Sequence, residues 1–249
     1  MKSPWLPFAQ RRDDPRLRLF CFAHAGGGAS LFRRWHEALP PAIEVHPVQL
    51  PGRETRFGDE RHTRVVELAR ELADVLQPLL DRPYALFGHS LGALVSYALT
   101  REQRARGARL PERLLLSGSS GPQLPRLRIL HDMSEAELID ALREMNGTPA
   151  AVLDSPEMRA LFLPLLRDDF ELVETYRVEP DDPLDLPFSL IGSPEDAEVP
   201  TERLLAWEAH SLQACEHRVV PGGHFFPATH EAELVASVAE ALAPHLVPA

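Results

Sequence analysis

Short apolar runs alternate with stretches of helical periodicity along most of the chain, and that alternation narrows the choice of fold more than any other feature. Leu17 to Phe22, Glu44 to Gln49, Tyr84 to Phe87, Arg113 to Leu116, Phe188 to Ile191 and Arg218 to Val220 read as strands. Between them, Val65, Leu68, Leu72, Val75, Leu76 and Leu79 mark one face of a helix, and Leu234, Val235, Val238 and Leu242 mark another. Strand and helix in alternation predict an α/β fold with a mostly parallel sheet flanked by helices. A chain of 249 residues accommodates one such domain, residues 1–249.

The alternation breaks between about Pro122 and Pro180. Ser134 with Glu137 is a capping-box pair, and Leu138, Ala141, Leu142 and Met145 then fall on one face. Asn146-Gly147 ends that helix as a C-cap. Ser155-Pro156 starts a second helix, with proline at its first position, and a third is expected from about Leu165 to Tyr176. Because this segment falls between two sheet strands, residues 122–180 are expected to form a helical lid inserted into the domain rather than a separate unit.

Composition excludes several classes. Hydrophobic residues at 44% and charged residues at 25% are ordinary for a globular protein, so disorder along the whole chain is excluded. A formal net charge of −11 repels phosphate backbones and argues against nucleic acid as a partner. No run nears the roughly 20 apolar residues that span a bilayer. No apolar segment follows Arg11-Arg12, as a secretory or twin-arginine signal requires, so a cytoplasmic protein is expected. Cys21 and Cys215 form no CxxC pair and read as buried small hydrophobes. HExxH is absent, and His224 with His230 lacks a third ligand, so no metal site is expected.

Gly88-His89-Ser90-Leu91-Gly92 carries the chemistry. A lone Gly-x-Ser-x-Gly arises by chance in about one chain in ten of this size. Here a strand precedes it and Leu91 to Leu99 reads as a helix behind it, which is the setting of a nucleophile elbow. A Cβ at position 88 or 92 would crowd that turn, and the helix N-terminus behind Ser90 favours developing negative charge. The serine needs a base. Of eleven histidines, His224 lies in the glycine-containing loop Pro221 to Phe226, just after the last strand. His36, His46, His62, His131 and His217 lie in no motif and read as surface or turn residues. Serine, then acid, then histidine is the chain order of α/β-hydrolases. The acid should follow the strand that ends at Ile191, where Glu195, Asp196 and Glu198 are equivalent on spacing alone. Backbone N–H groups of Leu91 and Ala25, the latter in the loop Cys21 to Ser30, are the expected oxyanion donors.

Further segments follow in order: Phe22-Ala23-His24-Ala25-Gly26-Gly27, Leu50-Pro51-Gly52-Arg53-Glu54 with Arg56, Asn146-Gly147-Thr148-Pro149, Leu163 to Phe170, and Pro221-Gly222-Gly223-His224-Phe225-Phe226. With the serine motif they resemble, over nearly the whole chain, the free-standing type II thioesterases that accompany modular polyketide and nonribosomal peptide synthases. The resemblance implies the α/β-hydrolase fold and assigns the acid to Asp196, since the family's aspartate shortly precedes a Leu-x-x-Trp, here Leu204-Leu205-Ala206-Trp207. The match departs locally: Ala197 stands where the family usually has proline, Pro194 where an acidic residue is common, and Gly28 where serine is frequent.

The same resemblance implies hydrolysis of acyl thioesters from the phosphopantetheine arm of acyl or peptidyl carrier proteins. Aberrant or stalled acyl units would thereby leave a synthase. The carrier would be a transient partner of a monomer that uses no cofactor and touches neither nucleic acid nor membrane. Met145 and Phe162 are the residues expected in the acyl chamber, with Leu138, Leu142 and Leu161 packing in the lid around it. Arg33-Arg34 reads as a solvated pair rather than a contact for an acidic carrier helix. Competing readings are a carboxylesterase or lipase, a chain-releasing cyclase and a catalytically silent carrier-binding scaffold. The cyclase is disfavoured because such domains usually end a synthase and no carrier domain precedes this one.

Overall fold

Strand pairing organises everything else in the computed structural model, which describes residues 3–179 and 181–246. Pro180, the last residue of the expected lid, and the ends of the expected domain lie outside the described residues. The strands are β1 Leu17–Phe22, β2 Ile43–Pro47, β3 Tyr84–His89, β4 Arg113–Ser117, β5 Phe188–Gly192 and β6 Glu216–Val219. They form one parallel sheet in the order β2-β1-β3-β4-β5-β6. The helices are α1 Trp35–Ala38, α2 Val65–Leu76, α3 Leu91–Ala105, α4 Glu135–Met145, α5 Ala150–Asp154, α6 Pro156–Thr175, α7 Thr201–Leu205, α8 Phe226–Thr229 and α9 Glu231–Leu242. No helix among the described residues is long and apolar enough to cross a membrane.

Alternation along the strands builds two cores. Phe20 and Phe22 of β1 point to the face covered by α2 and α3, whose Leu68, Leu72, Leu94 and Val95 are buried there. Leu19 and Cys21 point to the opposite face, against Trp35 and the Leu234, Val235 and Val238 stripe of α9. β2 lies outside β1, and β3 returns to the other side of β1. The chain therefore reverses its direction of winding between β2 and β3. A crevice opens beyond the strand C-termini at such a reversal. There Phe22 of β1 is in register with Gly88 of β3, so the two following loops begin side by side.

The interrupted stretch is helical, with a third core of its own built from Leu130, Leu138, Leu142, Leu153, Leu166 and Phe170. The expected capping box forms: Ser134 Oγ accepts the Glu137 N–H, and Glu137 Oε2 accepts the Ser134 N–H. Asn146 ends α4 at φ +55°, in the left-handed region. The two helices expected after Ser155 are one. α6 runs 20 residues straight through Pro164. Pro164 lacks an N–H and so loses one hydrogen bond, but it faces solvent, while the buried Leu163, Leu166 and Phe170 hold both halves to one core. The five-residue α5 is too short to reveal itself by periodicity.

Edge positions account for the other differences. β6 begins at Glu216, two residues before the apolar signal, because its exposed and half-buried residues alternate along the sheet edge. His46 on edge strand β2 is buried rather than superficial: it stacks on Phe20 at 5.0 Å and bonds Glu44 Oε1 at 2.7 Å. Cys21 is buried, but Cys215, just before β6, is only half-buried.

Candidate active site

Ser90 occupies the sharp turn between β3 and α3 at φ +55° and ψ −113°. That conformation is strained for a residue with a Cβ and costs of order 1–3 kcal/mol, so the surroundings must enforce it. They do so through close packing. A Cβ on Gly88 would lie 2.0 Å from the Gly92 carbonyl oxygen, and one on Gly92 would lie 2.2 Å from the Phe22 carbonyl oxygen. The Ser90 N–H donates to the Ser117 carbonyl at 2.8 Å. Leu91 is the first residue of α3, so its N–H has no intrahelical acceptor.

Asp196 follows β5 and His224 follows β6, and these strands are neighbours, with Gly192 opposite Val219. His224 Nδ1–H donates to Asp196 Oδ2 at 2.9 Å, with both side chains buried. The other carboxylate oxygen accepts N–H groups from Glu198 at 2.9 Å and Val199 at 3.0 Å. Glu195 and Glu198 are exposed. Glu195 reaches only the backbone of the histidine loop, accepting the Gly222 N–H at 3.4 Å. Of the three acids that spacing left equivalent, the fold brings Asp196 to the imidazole.

Two further histidines were not singled out in the sequence. His89 is fully buried, and its Nε2–H donates to the His224 carbonyl at 2.8 Å while Nδ1 lies 3.0 Å from Ser117 Oγ. Burial, then the nearby His224 and His24, hold its pKa well below 6.5, so it stays neutral. The signal was its place inside the serine motif, where a strand's last residue turns into the core. His24 packs edge-on against His89 and Phe225 at 5.9 and 5.2 Å. Burial, then His224 and Arg53, lower its pKa to about 4. Its Nδ1 is buried without a partner among the described residues.

The loop after β1 is tied to α6. Arg53 and Asp169 form a buried bidentate pair at 2.7 and 2.8 Å. Asp169 Oδ2 also accepts the Gly26 N–H at 2.7 Å, and Arg53 donates to the Gly27 carbonyl at 3.2 Å. Ala25 is thus flanked by a glycine whose amide is held by the inserted helix.

Two cavities meet at Ser90 and His224, which line both. The inner one, about 40 Å³, is walled by Ala25, Leu142, Met145, Leu166, Phe170 and Phe225. The outer one, about 410 Å³, extends past Gly118 and Ser119 to Arg126, Arg203 and the exposed Leu127. Met145 borders both. Phe162 borders neither, contrary to expectation; it lies about one helical turn before Leu166 on α6. No group of His, Cys, Asp and Glu among the described residues could hold a metal ion.

Residues 17–244 match the family model described as a thioesterase domain. The chain belongs to the thioesterase family. It is 36% identical to the gramicidin S biosynthesis protein GrsT of Aneurinibacillus migulanus over 99% of this chain and 96% of that one. RedJ, a thioesterase from the prodiginine biosynthetic pathway in Streptomyces coelicolor, superposes with a TM-score of 0.85 at 35% identity, covering 95% of this thioesterase and 97% of RedJ. BorB, a type II thioesterase from the borrelidin biosynthetic cluster, superposes with a TM-score of 0.83 at 32% identity, covering 99% of each chain. The fold is that of the α/β-hydrolases, with the helical segment inserted between β4 and β5.

Proposed function

We propose that this thioesterase removes acyl units from the phosphopantetheine arms of acyl or peptidyl carrier proteins and so clears stalled or aberrant intermediates from a polyketide or nonribosomal peptide synthase. One observation carries the reading: Ser90 and His224 share the walls of two meeting cavities, and Asp196 holds the remote nitrogen of the His224 ring. GrsT, RedJ and BorB belong to gramicidin S, prodiginine and borrelidin biosynthesis, which supports the substrate class.

With Nδ1–H bound to Asp196, the lone pair of His224 sits on Nε2, which takes the proton of Ser90 as its oxygen attacks the thioester carbonyl. Ala25 and Leu91 N–H groups receive the oxyanion. The protonated His224 gives its proton to the departing thiolate. It then activates water against the acyl-serine, and the free acid leaves. The reaction draws on no cofactor; the pantetheine belongs to the substrate. The inner cavity has room for about three water-sized groups, which suits a short acyl unit. Helices α4 to α6 act as the lid over it. The enzyme works as a cytoplasmic monomer that meets its carrier transiently.

Ser90→Ala tests the reading against acyl groups of graded length on a carrier protein. Hydrolysis should fall at least about 10⁴-fold, fluorophosphonate labelling should vanish, and the circular-dichroism spectrum should not change. Undiminished hydrolysis by the variant would overturn the assignment.

A further inference from the structure

The outer cavity contains a charge that the fold does not neutralise. Arg126 lies on the segment between β4 and α4 and lines the cavity whose inner end is Ser90 and His224. Among the described residues its Nε and Nη2 are buried without a hydrogen-bond acceptor. Arg203 of α7 lines the same wall, and its contacts there are neutral: Ser120 Oγ at 3.1 Å and the Pro125 carbonyl. The carboxylates that line this cavity do not compensate. Glu174 is engaged by the backbone N–H groups of Leu130 and His131 and by the His131 ring. Glu198 is exposed and forms no ion pair with either guanidinium among the described residues. Arg128 at the rim already pairs with Glu144 at 2.8 Å.

A half-buried guanidinium without an anion is costly, and two on one wall repel each other. Burial first, then Arg177 and Arg203, depress the Arg126 pKa to about 10, against a smaller opposing pull from Glu174. An anion entering the cavity would relieve both penalties. The same cavity is lined by the exposed Leu127 and by Ser90, so it joins the surface to the reacting serine.

We infer that Arg126, assisted by Arg203, is a binding site for the phosphodiester at the base of the thioester-bearing arm. The inference rests on the carrier-thioester reading above and adds a subsite to it. The arm enters past Arg126 with its thioester at Ser90 and its acyl group in the apolar inner cavity. A guanidinium suits a phosphodiester as a fixed positive charge whose N–H groups donate charge-assisted hydrogen bonds. A phosphate ester in the same position also occurs in coenzyme A, so two sources share this chemistry.

The experiment compares one acyl group on pantetheine, on phosphopantetheine, on coenzyme A and on a carrier protein, with the wild type and Arg126→Gln. The variant should raise KM for the phosphopantetheine and carrier thioesters about 10- to 100-fold, the loss of a charge-assisted hydrogen bond. For the pantetheine thioester, which lacks phosphate, KM and kcat should stay within about twofold. Arg126→Lys should restore part of the loss. The wild type supplies a check that needs no variant: free phosphopantetheine should inhibit at least tenfold more tightly than pantetheine. Equal loss on all four substrates, no loss on any, or equal inhibition by the two free arms would overturn the subsite. A loss confined to coenzyme A would overturn its assignment to the carrier arm. If the wild type hydrolysed none of the four, the thioesterase reading would fall with it; hydrolysis of all four without discrimination by Arg126 would leave that reading standing and remove only the subsite.

Discussion

At the residue scale, the acid shows how much a single position contributes. Three carboxylates lie within four residues, yet only Asp196 is buried against the His224 ring, with its second oxygen held by two backbone N–H groups. Asp196→Asn keeps the shape but can present an N–H to Nδ1 and so favour the wrong tautomer. The expected loss in kcat is on the order of 10³- to 10⁴-fold. Glu195→Gln and Glu198→Gln should stay within about threefold; a reversed ranking in steady-state kinetics would move the acid. The neighbouring neutral histidines make a different prediction. Unfolded, His24 titrates near 6.5; folded, near 4. Between those values the unfolded chain holds more protons, so stability is fully present above about pH 6.5 and falls as pH drops towards 4. His89, also depressed, acts in the same direction. Urea midpoints measured across this window should fall with acid, and His24→Gln should flatten the slope. An unchanged slope in that variant would show that His24 does not bury its neutral form. None of this tuning was visible in the chain, because burial is set by contacts between distant segments.

At the element scale, the strand–turn–helix around Ser90 was legible because it is local: apolar strand, small residues where backbones touch, helix. The capping box and the Asn146 C-cap were legible for the same reason. What escaped was the unity of α6, where Pro164 suggests a break that tertiary packing overrides, and the bond from α6 to the loop of Ala25. Arg53 and Asp169 are 116 residues apart, and no local pattern joins them. Their pairing couples the inserted helix α6 to the loop of Ala25, and this gives a prediction about elements. Asp169→Ala leaves the Arg53 charge buried and unpaired and should cost about 3–5 kcal/mol in denaturant unfolding. Replacing both partners, Arg53→Met with Asp169→Leu, should recover much of that stability, because no lone charge remains. It should not recover kcat, since the Gly26 N–H still lacks its acceptor. If kcat returned together with stability, the ion pair would serve folding alone.

At the scale of the whole molecule, three cores divide the work. Two sandwich the sheet and hold Ser90, Asp196 and His224 at its C-terminal edge; the third belongs to the inserted helices and walls the inner cavity. The sheet cores can therefore fix Ser90, Asp196 and His224 while the third core shapes the inner cavity. Chamber residues were the least legible part of the site: Met145 lies in the wall, Phe162 does not, and Leu166, Phe170 and Phe225 do. Helical periodicity tells which face is apolar but not how far along the helix a cavity extends. The division of labour has a measurable consequence. Met145 is half-buried at the junction of the two cavities, so truncating it widens the chamber without removing a full core side chain. Met145→Ala should cost no more than about 2 kcal/mol in stability. Its reactivity towards a small fluorophosphonate should remain within about threefold, because the serine turn belongs to another core. The ratio of kcat/KM for an octanoyl over an acetyl thioester should rise about tenfold, since each methylene that finds apolar contact contributes about 0.8 kcal/mol and the added room accepts two of them. Equal losses on both chain lengths, with slower fluorophosphonate labelling, would mean that the inserted helices support the reacting groups instead of selecting the chain.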